Sequence, residues 1–312
     1  VLISGGAGFI GSNLADFMLA NNWNVISVDN FDEFYSKNLK KKNIEISLKN
    51  PNYKFIESDI RDISYLDKEI NFNIDVFIHL AAKAGVRYSI KYPIGYKEVN
   101  VDGTQKALEL AVKKNTNKFI FASSSSVYGN SSTPFVEDTT PLNPISPYAQ
   151  SKTLSEKLGR EYAQKKGFEY VALRFFSVYG PRLRPDLVMN KIAKSIFQNE
   201  ILNVYGNGSA ARDYTHVNDI INGIYACITA KFEKPEIINL GNNNPISLSE
   251  IISIFEEETN KKAKINYIAP IKEECEITWA DTSKAKRLLN FKPKIDIKNG
   301  IKDFLNWYNS KF

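Results

Sequence analysis

Gly5-Gly6-Ala7-Gly8-Phe9-Ile10-Gly11 follows the apolar run Val1-Leu2-Ile3 and leads into the amphipathic stretch Leu14-Ala15-Asp16-Phe17-Met18-Leu19. A strand feeding a Gly-rich turn and then a helix presents backbone N–H groups and the positive end of a helix dipole to an anion, usually a pyrophosphate. Downstream, Val25-Ile26-Ser27-Val28 reads as a second strand that ends in Asp29. An acidic side chain about 20 residues beyond the glycines can accept both hydroxyls of an adenosine ribose. A 2′-phosphate there would meet a like charge, so the pattern predicts NAD rather than NADP. A Gly-rich turn that binds nothing is the plain alternative, and the strand and carboxylate downstream weigh against it.

Alternation of strand and helix continues outward from this point. Tyr53–Glu57, Val76–Leu80, Phe119–Ala122 and Tyr170–Leu173 read as strands, with helical patterns at Gly103–Lys114 and Tyr148–Lys166. Repeated strand-then-helix order argues a parallel sheet covered on both faces. The predicted fold is α/β, a Rossmann-type doubly wound parallel sheet with a smaller C-terminal α/β lobe. After Pro181 the texture changes to a loop with two prolines and two arginines, then shorter elements including helices at Val188–Gln198, Val217–Ala230 and Leu248–Thr259. Residues 1–180 are therefore expected to form the NAD-binding part, and 181–312 the substrate lobe, with some interleaving of the chain. Clefts in such sheets open at the carboxyl ends of the strands. Asp29, Asp59-Ile60, Ala81-Ala82-Lys83, Ser123 to Ser126 and Phe176-Ser177 should converge there.

Composition excludes more than it selects. With 312 residues, 43% apolar, the chain can bury a large core. No apolar run reaches the ~20 residues of a membrane span. The first strand would begin at Val1 with no initiator Met, so a few residues are expected before it and no signal peptide is legible. Cys227 and Cys275 are too few and too far apart for a disulfide framework, which suits a reducing cytoplasm. Two His and two Cys argue against a structural zinc site, and no metal is expected. The net charge of +6 raises nucleic-acid binding. However, the densest cluster, Lys37 to Lys49, mixes lysines with Ile44, Ile46 and Leu48 and reads as the solvated face of a helix. Surplus cations also suit ligands that carry pyrophosphates.

The chemistry is carried by Tyr148-Ala149-Gln150-Ser151-Lys152. A spacing of four puts phenol and ammonium on one helix face, a turn apart. The cation is expected to lower the phenol's pKa from ~10 toward neutrality, especially beside an oxidised nicotinamide, and so make it a usable base. An amphipathic helix with a surface Tyr and Lys is the alternative. Ser124, at the end of a predicted strand, tips the balance, because its hydroxyl can hydrogen-bond a reacting alcohol. Ser124, Tyr148 and Lys152 together make a hydride-transfer site.

At this point the chain resembles an extended short-chain dehydrogenase/reductase of the NAD-dependent sugar-nucleotide epimerase/dehydratase family. The matches run nearly end to end: GGAGFIG, Asp59-Ile60-Arg61-Asp62, His79-Leu80-Ala81-Ala82, SSSSVYG at 123–129, PYAQSK at 147–152, LRFFSVYGP at 173–181, ARDYTHVND at 211–219 and Trp307-Tyr308. The resemblance implies tightly bound NAD held by Gly5, Gly8, Phe9, Ile10, Gly11, Asp29, Asn30, Asp59, Ile60, Leu80, Ala81, Ala82, Lys83, Ser123, Tyr148 and Lys152, with Asn100 a secondary candidate that faces the cleft or bridges to a water or the active-site helix. It implies a nucleoside-diphosphate sugar as substrate. Family dehydratases carry Asp-Glu directly after the hydroxyl residue, and related decarboxylases commonly carry Glu at the second position. Here Ser125 and Ser126 supply no titratable proton near neutral pH. Epimerisation at C4 remains; in the scheme the family resemblance implies, Tyr148 deprotonates O4, NAD takes the C4 hydride, and the keto sugar turns before the hydride returns.

Gly85-Val86-Arg87-Tyr88-Ser89, Gly180–Asp186 and Asn30-Phe31-Asp32-Glu33-Phe34-Tyr35 resemble segments of enzymes that epimerise UDP-glucuronate to UDP-galacturonate. Arg184, with Ser177 and Ser126, could hold a C6 carboxylate; pinning a loop to an acidic neighbour is the other reading of Arg184. Arg212 matches the family's diphosphate-binding arginine, and Val204-Tyr205-Gly206 its uridine-side segment. Glu273-Glu274 stand where the family usually shows Gly-Asp. UDP-galactose or UDP-N-acetylhexosamine epimerisation, a dehydratase or decarboxylase, and a non-catalytic NAD sensor remain as alternatives. His79 reads as a buried, hydrogen-bonded imidazole, His216 as a capping or packing residue, and Cys275 as a loop thiol. The family resemblance further implies a homodimer through helices at 95–115 and 147–166, in a surface-polysaccharide precursor setting.

Overall fold

The computed structural model describes residues 1–270 and 275–310. Its elements in order are β1 (Leu2–Ser4), α1 (Phe9–Ala20), β2 (Val25–Asp29), α2 (Lys37–Ile44), β3 (Tyr53–Glu57), α3 (Ile63–Glu69) and β4 (Val76–His79). Then come α4 (Val86–Lys91), α5 (Pro93–Tyr96), a π-helical turn at Lys97–Asp102, α6 (Gly103–Lys113), β5 (Lys118–Ser124), α7 (Pro147–Lys166), β6 (Glu169–Phe175) and β7 (Ser177–Tyr179). The remainder is α8 (Val188–Gln198), β8 (Leu202–Tyr205), β9 (Ala211–His216), α9 (Val217–Thr229), β10 (Glu236–Leu240), β11 (Pro245–Ser247) and α10 (Leu248–Thr259). It closes with β12 (Ile265–Ile268), β13 (Ile277–Thr278), α11 (Ser283–Leu289) and α12 (Ile297–Asn309).

Seven parallel strands form the main sheet in the order β10-β6-β5-β4-β1-β2-β3. The order reverses between β1 and β4, and a crevice opens at their carboxyl ends, as it must when successive helices cover opposite faces. Alternation along each strand divides the core in two. Ile3, Val25, Ile78, Ile120 and Val171 face one layer with Leu14, Met18 and Ile220. Leu2, Ile26, Phe77, Phe119 and Tyr170 face the other with Leu66, Leu108 and Ala163. Both faces are covered, which is why these strands read as continuous apolar runs.

The helix carrying YxxxK packs on the sheet through small and polar side chains. Its buried stripe is Ala149, Ser151, Lys152, Ser155, Glu156, Gly159 and Ala163, small or polar rather than bulky and apolar. Ser146 caps its first turn by accepting from Ala149 N–H at 3.2 Å, Pro147 begins it, and Gly167 ends it in the left-handed conformation. The later part of the chain is not a separate body: β10 adds to the edge of the main sheet beside β6. Beyond β6, β7 leaves that sheet to pair with β9, which also carries β11 and β13.

Candidate active site

Where the strand order reverses, a cavity of about 910 Å³ runs from the glycine turn to the loops around Arg184 and Arg212. At one end, Gly5 has a φ of +73°, and a Cβ on Gly11 would lie 2.2 Å from the Gly5 carbonyl oxygen. Only glycine lets the turn close so tightly against its own helix. α1 starts after Gly8 with no side-chain cap and no acidic residue in its first turn, so its amino end is positive and faces the cavity. Asp29 ties this turn down: its carboxylate accepts from Ala7 N–H at 3.1 Å and Phe31 N–H at 2.8 Å. Burial raises its pKa, offset in part by Lys40 and those two N–H groups. Asn30 donates to Asp59 at 2.9 Å, and Arg61 forks the same carboxylate at 2.8 and 2.9 Å, which holds it below the usual range. Lys83 spans the rim to Asp32 at 2.8 Å.

At the centre, Ser124 ends β5 beside the Tyr148 phenol, whose pKa its hydroxyl pulls down. Its Oγ also accepts from Ser126 N–H at 3.2 Å, which fixes the hydroxyl at the head of the serine run. One helical turn beyond Tyr148, Lys152 donates to the Ala122 carbonyl at 2.7 Å, its Nζ 6.0 Å from the centre of the Tyr148 ring. Burial drops Lys152 to about 7, against a partial lift from Glu156 one turn further along. The phenol does not behave as the sequence predicts. Burial raises its pKa, and the groups that pull it down are Ser124 and Arg184. Lys152 is not among the groups that lower it; its ammonium is itself held down by burial.

Ser125, Ser126, Ser177, Arg184, Arg87, Tyr205 and Arg212 line the other end. Ser126 Oγ is buried without a hydrogen-bond partner. Arg184 does what its plainer reading predicts: Nε and Nη2 fork Asp186 at 3.0 and 2.8 Å. The Arg87 guanidinium lies 4.1 Å from the centre of the Tyr205 ring. Arg212 donates through Nη1 to the carbonyls of Ala211 and Glu276, at 2.9 and 3.1 Å.

All but two of the expected site residues line this cavity: Gly5, Gly8, Phe9, Ile10, Gly11, Asp29, Asn30, Asp59, Ile60, Leu80, Ala81, Ala82, Lys83 and Ser123 on the cofactor side, with those just described. Asn100 does not line the cavity, but it does bridge to the active-site helix. Buried in the π-helical turn, its amide clamps Lys83 N–H and carbonyl, at 2.8 and 2.9 Å, and donates to Ser151 Oγ at 2.9 Å. It positions the loop and α7 rather than lining the cavity. Val204 is a correction: it is buried in the core, whereas Leu202, Asn203 and Tyr205 of the same strand line the cavity. Lys40 departs from the solvated-face reading, since it is buried and donates to the Asp32 carbonyl at 2.7 Å.

His79 is buried between Ser4 at 2.6 Å and Thr104 at 3.1 Å, and burial lowers it to about 3. His216 caps α9 by accepting from Asn218 N–H at 3.3 Å. Cys275 donates to the Gly129 carbonyl at 2.9 Å. Glu273 and Glu274 lie outside the described residues. Two features went unread in the sequence. Tyr35 lines the cavity with its hydroxyl buried and unpartnered; it lies in the Asn30–Tyr35 segment already singled out. Glu156 pairs with Arg174 at 2.9 and 2.8 Å, wholly buried beneath the site. Its signal was Glu156 continuing the 148, 152 spacing on the same face of α7.

A family model described as GDP-mannose 4,6 dehydratase matches residues 2–304. The chain is 40% identical over 311 residues to the UDP-glucuronate 4-epimerase of Thermodesulfobacterium geofontis, covering 98% of this chain and 95% of that protein. It is 34% identical over 333 residues to UDP-glucuronate 4-epimerase 4 of Arabidopsis thaliana, covering 100% and 76%. The crystal structure of UDP-glucuronic acid 4-epimerase from Bacillus cereus in complex with UDP-glucuronic acid and NAD superposes with a TM-score of 0.93 at 35% identity, covering 100% and 99%. Sequence and backbone agree along almost the whole length: the chain belongs to the extended short-chain dehydrogenase/reductase family of sugar-nucleotide epimerases and dehydratases.

Proposed function

We propose that this protein is an NAD-dependent UDP-sugar 4-epimerase and that its substrate is UDP-glucuronate, converted to UDP-galacturonate. The observation that carries the proposal is the Ser124–Tyr148–Lys152 centre, set between an open helix amino end and a wall of serines and Arg184 with no carboxylic acid directly after Ser124. The residues fit the dinucleotide. The Gly5–Gly11 turn admits close approach of a diphosphate, the first turn of α1 offers it N–H donors, and Asp29 lines the same end of the cavity.

When bound, NAD supplies the hydride acceptor and donor. Tyr148 is the group that takes the O4 proton and returns it, and Ser124 orients both hydroxyls. Lys152, titrating near 7, is the charge that stabilises the phenolate while it holds its own proton. Ser125 and Ser126 donate hydrogen bonds but neither protonate a leaving group nor abstract a carbon-bound proton, which disfavours water elimination. Ser126 Oγ, without a protein partner, is an unused donor in the wall where a C6 carboxylate would meet Arg184 and Ser177.

The test is to incubate the purified protein with UDP-glucuronate, UDP-galactose and UDP-N-acetylglucosamine and resolve the products by chromatography. UDP-galacturonate from the first is the expected result. A 4-keto-6-deoxy sugar or a pentose would overturn the reaction assigned here, and turnover confined to the neutral sugars would overturn the substrate. We further propose a cytoplasmic homodimer joined through α6 and α7, serving polysaccharide precursor synthesis. The exposed Leu154 on α7 supports that face, and two free cysteines support that compartment. Among the described residues no helix is long and apolar enough to cross a membrane.

A further inference from the structure

Arg184 is held at its backbone from two sides. Asn190 donates to the carbonyls of Leu183 and Arg184 at 2.8 and 2.9 Å, and Leu187 N–H adds a bond of 3.2 Å to the latter. Behind it, the loop is strapped to α1: Asn13 donates to the Pro181 carbonyl at 3.1 Å, and Arg182 to Asp16 at 2.6 Å. The guanidinium itself bridges from Asp186 to the face of Phe34, 5.5 Å from the ring centre, and its charge reaches both Tyr148 and Tyr35. Asp186 is about one-third exposed, so water can receive its carboxylate. Tyr35, whose charge coupling extends to Arg184 and Asp186, has a buried hydroxyl with no partner in this arrangement. An unmade hydrogen bond at a buried hydroxyl is unfavourable, which gives Asp186 a second place to go.

Resting on the epimerase reading above, we propose that Asp186 is a selectivity residue, an internal carboxylate that occupies Arg184 until the sugar brings an acid of its own. A sugar with a C6 carboxylate replaces Asp186 like for like, and the released carboxylate turns to the Tyr35 hydroxyl. A neutral hexose leaves the Arg184–Asp186 pair closed, so no buried guanidinium is stranded without a counter-charge. The device lowers affinity for the acidic sugar by the fraction of time Arg184 is occupied. In exchange it lets the same cavity accept neutral sugars. Asp186 touches neither reacting atom nor proton; its role is to decide what Arg184 holds.

The experiment is titration calorimetry of the full-length, NAD-loaded protein with UDP-glucuronate and with UDP-glucose, alongside epimerisation kinetics for both. In Asp186→Asn the Kd and KM for UDP-glucuronate should fall about fivefold while UDP-glucose binds more weakly, so that the ratio of affinities rises about tenfold. Tyr35→Phe should weaken UDP-glucuronate about threefold and leave UDP-glucose unmoved, and this effect should vanish in the Asp186→Asn background. Weaker UDP-glucuronate binding in Asp186→Asn, or an unchanged ratio, overturns the proposal. So does an undiminished Tyr35→Phe effect in the double variant. Binding reports on the device whether or not sugar turns over, whereas wild-type protein that epimerises neither sugar overturns only the functional reading.

Discussion

Tyr148 and Lys152 are a turn apart and buried together, and the protonation of one sets the usefulness of the other. Replacing Tyr148 by Phe removes the proton acceptor without altering ring packing, and kcat should fall by about 10³ while UDP-sugar binding persists. Lys152 gives a separate, signed prediction. Its pKa falls to about 7 in the fold against ~10.4 in the unfolded chain, so the unfolded state binds more protons between those values. Stability from this group is therefore fully present above ~10.4 and is lost as pH falls toward and through 7. A Lys152→Met protein should gain stability over the wild type at pH 6, with the gap shrinking toward pH 10. Denaturant titrations across that range check it, and a pH-independent gap would contradict it. The YxxxK spacing was legible because helix geometry is local. The direction of the phenol's shift was not, because it depends on how deeply both groups are buried.

α7 works because it is poor in bulky side chains where it meets the sheet. A Cβ on Gly159 would lie 2.2 Å from the Tyr170 ring, so any larger residue must lift the helix or turn the ring. Gly159→Val should cost about 1–3 kcal/mol. It should lower Tm and kcat together and leave KM comparatively unmoved, since Tyr148 and Lys152 ride on the displaced helix. Steady-state kinetics and thermal unfolding of the same sample test this; a loss of Tm with kcat intact would mean that α7 need not sit so closely. The parallel strands, by contrast, were readable from runs such as Phe119–Ala122, because burial on both faces demands apolar residues throughout. β8 shows the limit of motif reading. Leu202, Asn203 and Tyr205 line the cavity while Val204 between them is buried in the core, so a matching segment does not assign its residues one by one.

Beneath the centre, Glu156 binds Arg174 and also accepts from Ser123 at 2.5 Å, joining β5, β6 and α7 through one buried carboxylate. Removing either charge strands the other. Glu156→Gln or Arg174→Met should each cost about 3–5 kcal/mol, whereas the apolar double replacement Glu156→Leu with Arg174→Met should recover most of that loss. Chemical denaturation of the four proteins decides it, and additive losses would rule out mutual compensation. The double variant should still lose activity, because Glu156 is also the counter-charge that lifts Lys152. β10 adds a second long-range dependence, as a strand from the later part of the chain completes the sheet that carries the site.

What the chain alone determined is local: the glycine turn, the strand ends, the helix with Tyr148 and Lys152, and the serines where acids would otherwise stand. Each follows from periodicity, backbone sterics or side-chain chemistry within a few residues. Only the tertiary structure decided between the two readings of Asn100 and of Arg184, in favour of bracing α7 and of resting on Asp186, and only it showed that Lys40 is buried and that Arg174 neutralises Glu156. Those outcomes depend on which groups long-range folding brings within about 3 Å of one another and removes from water, and no local pattern encodes that meeting.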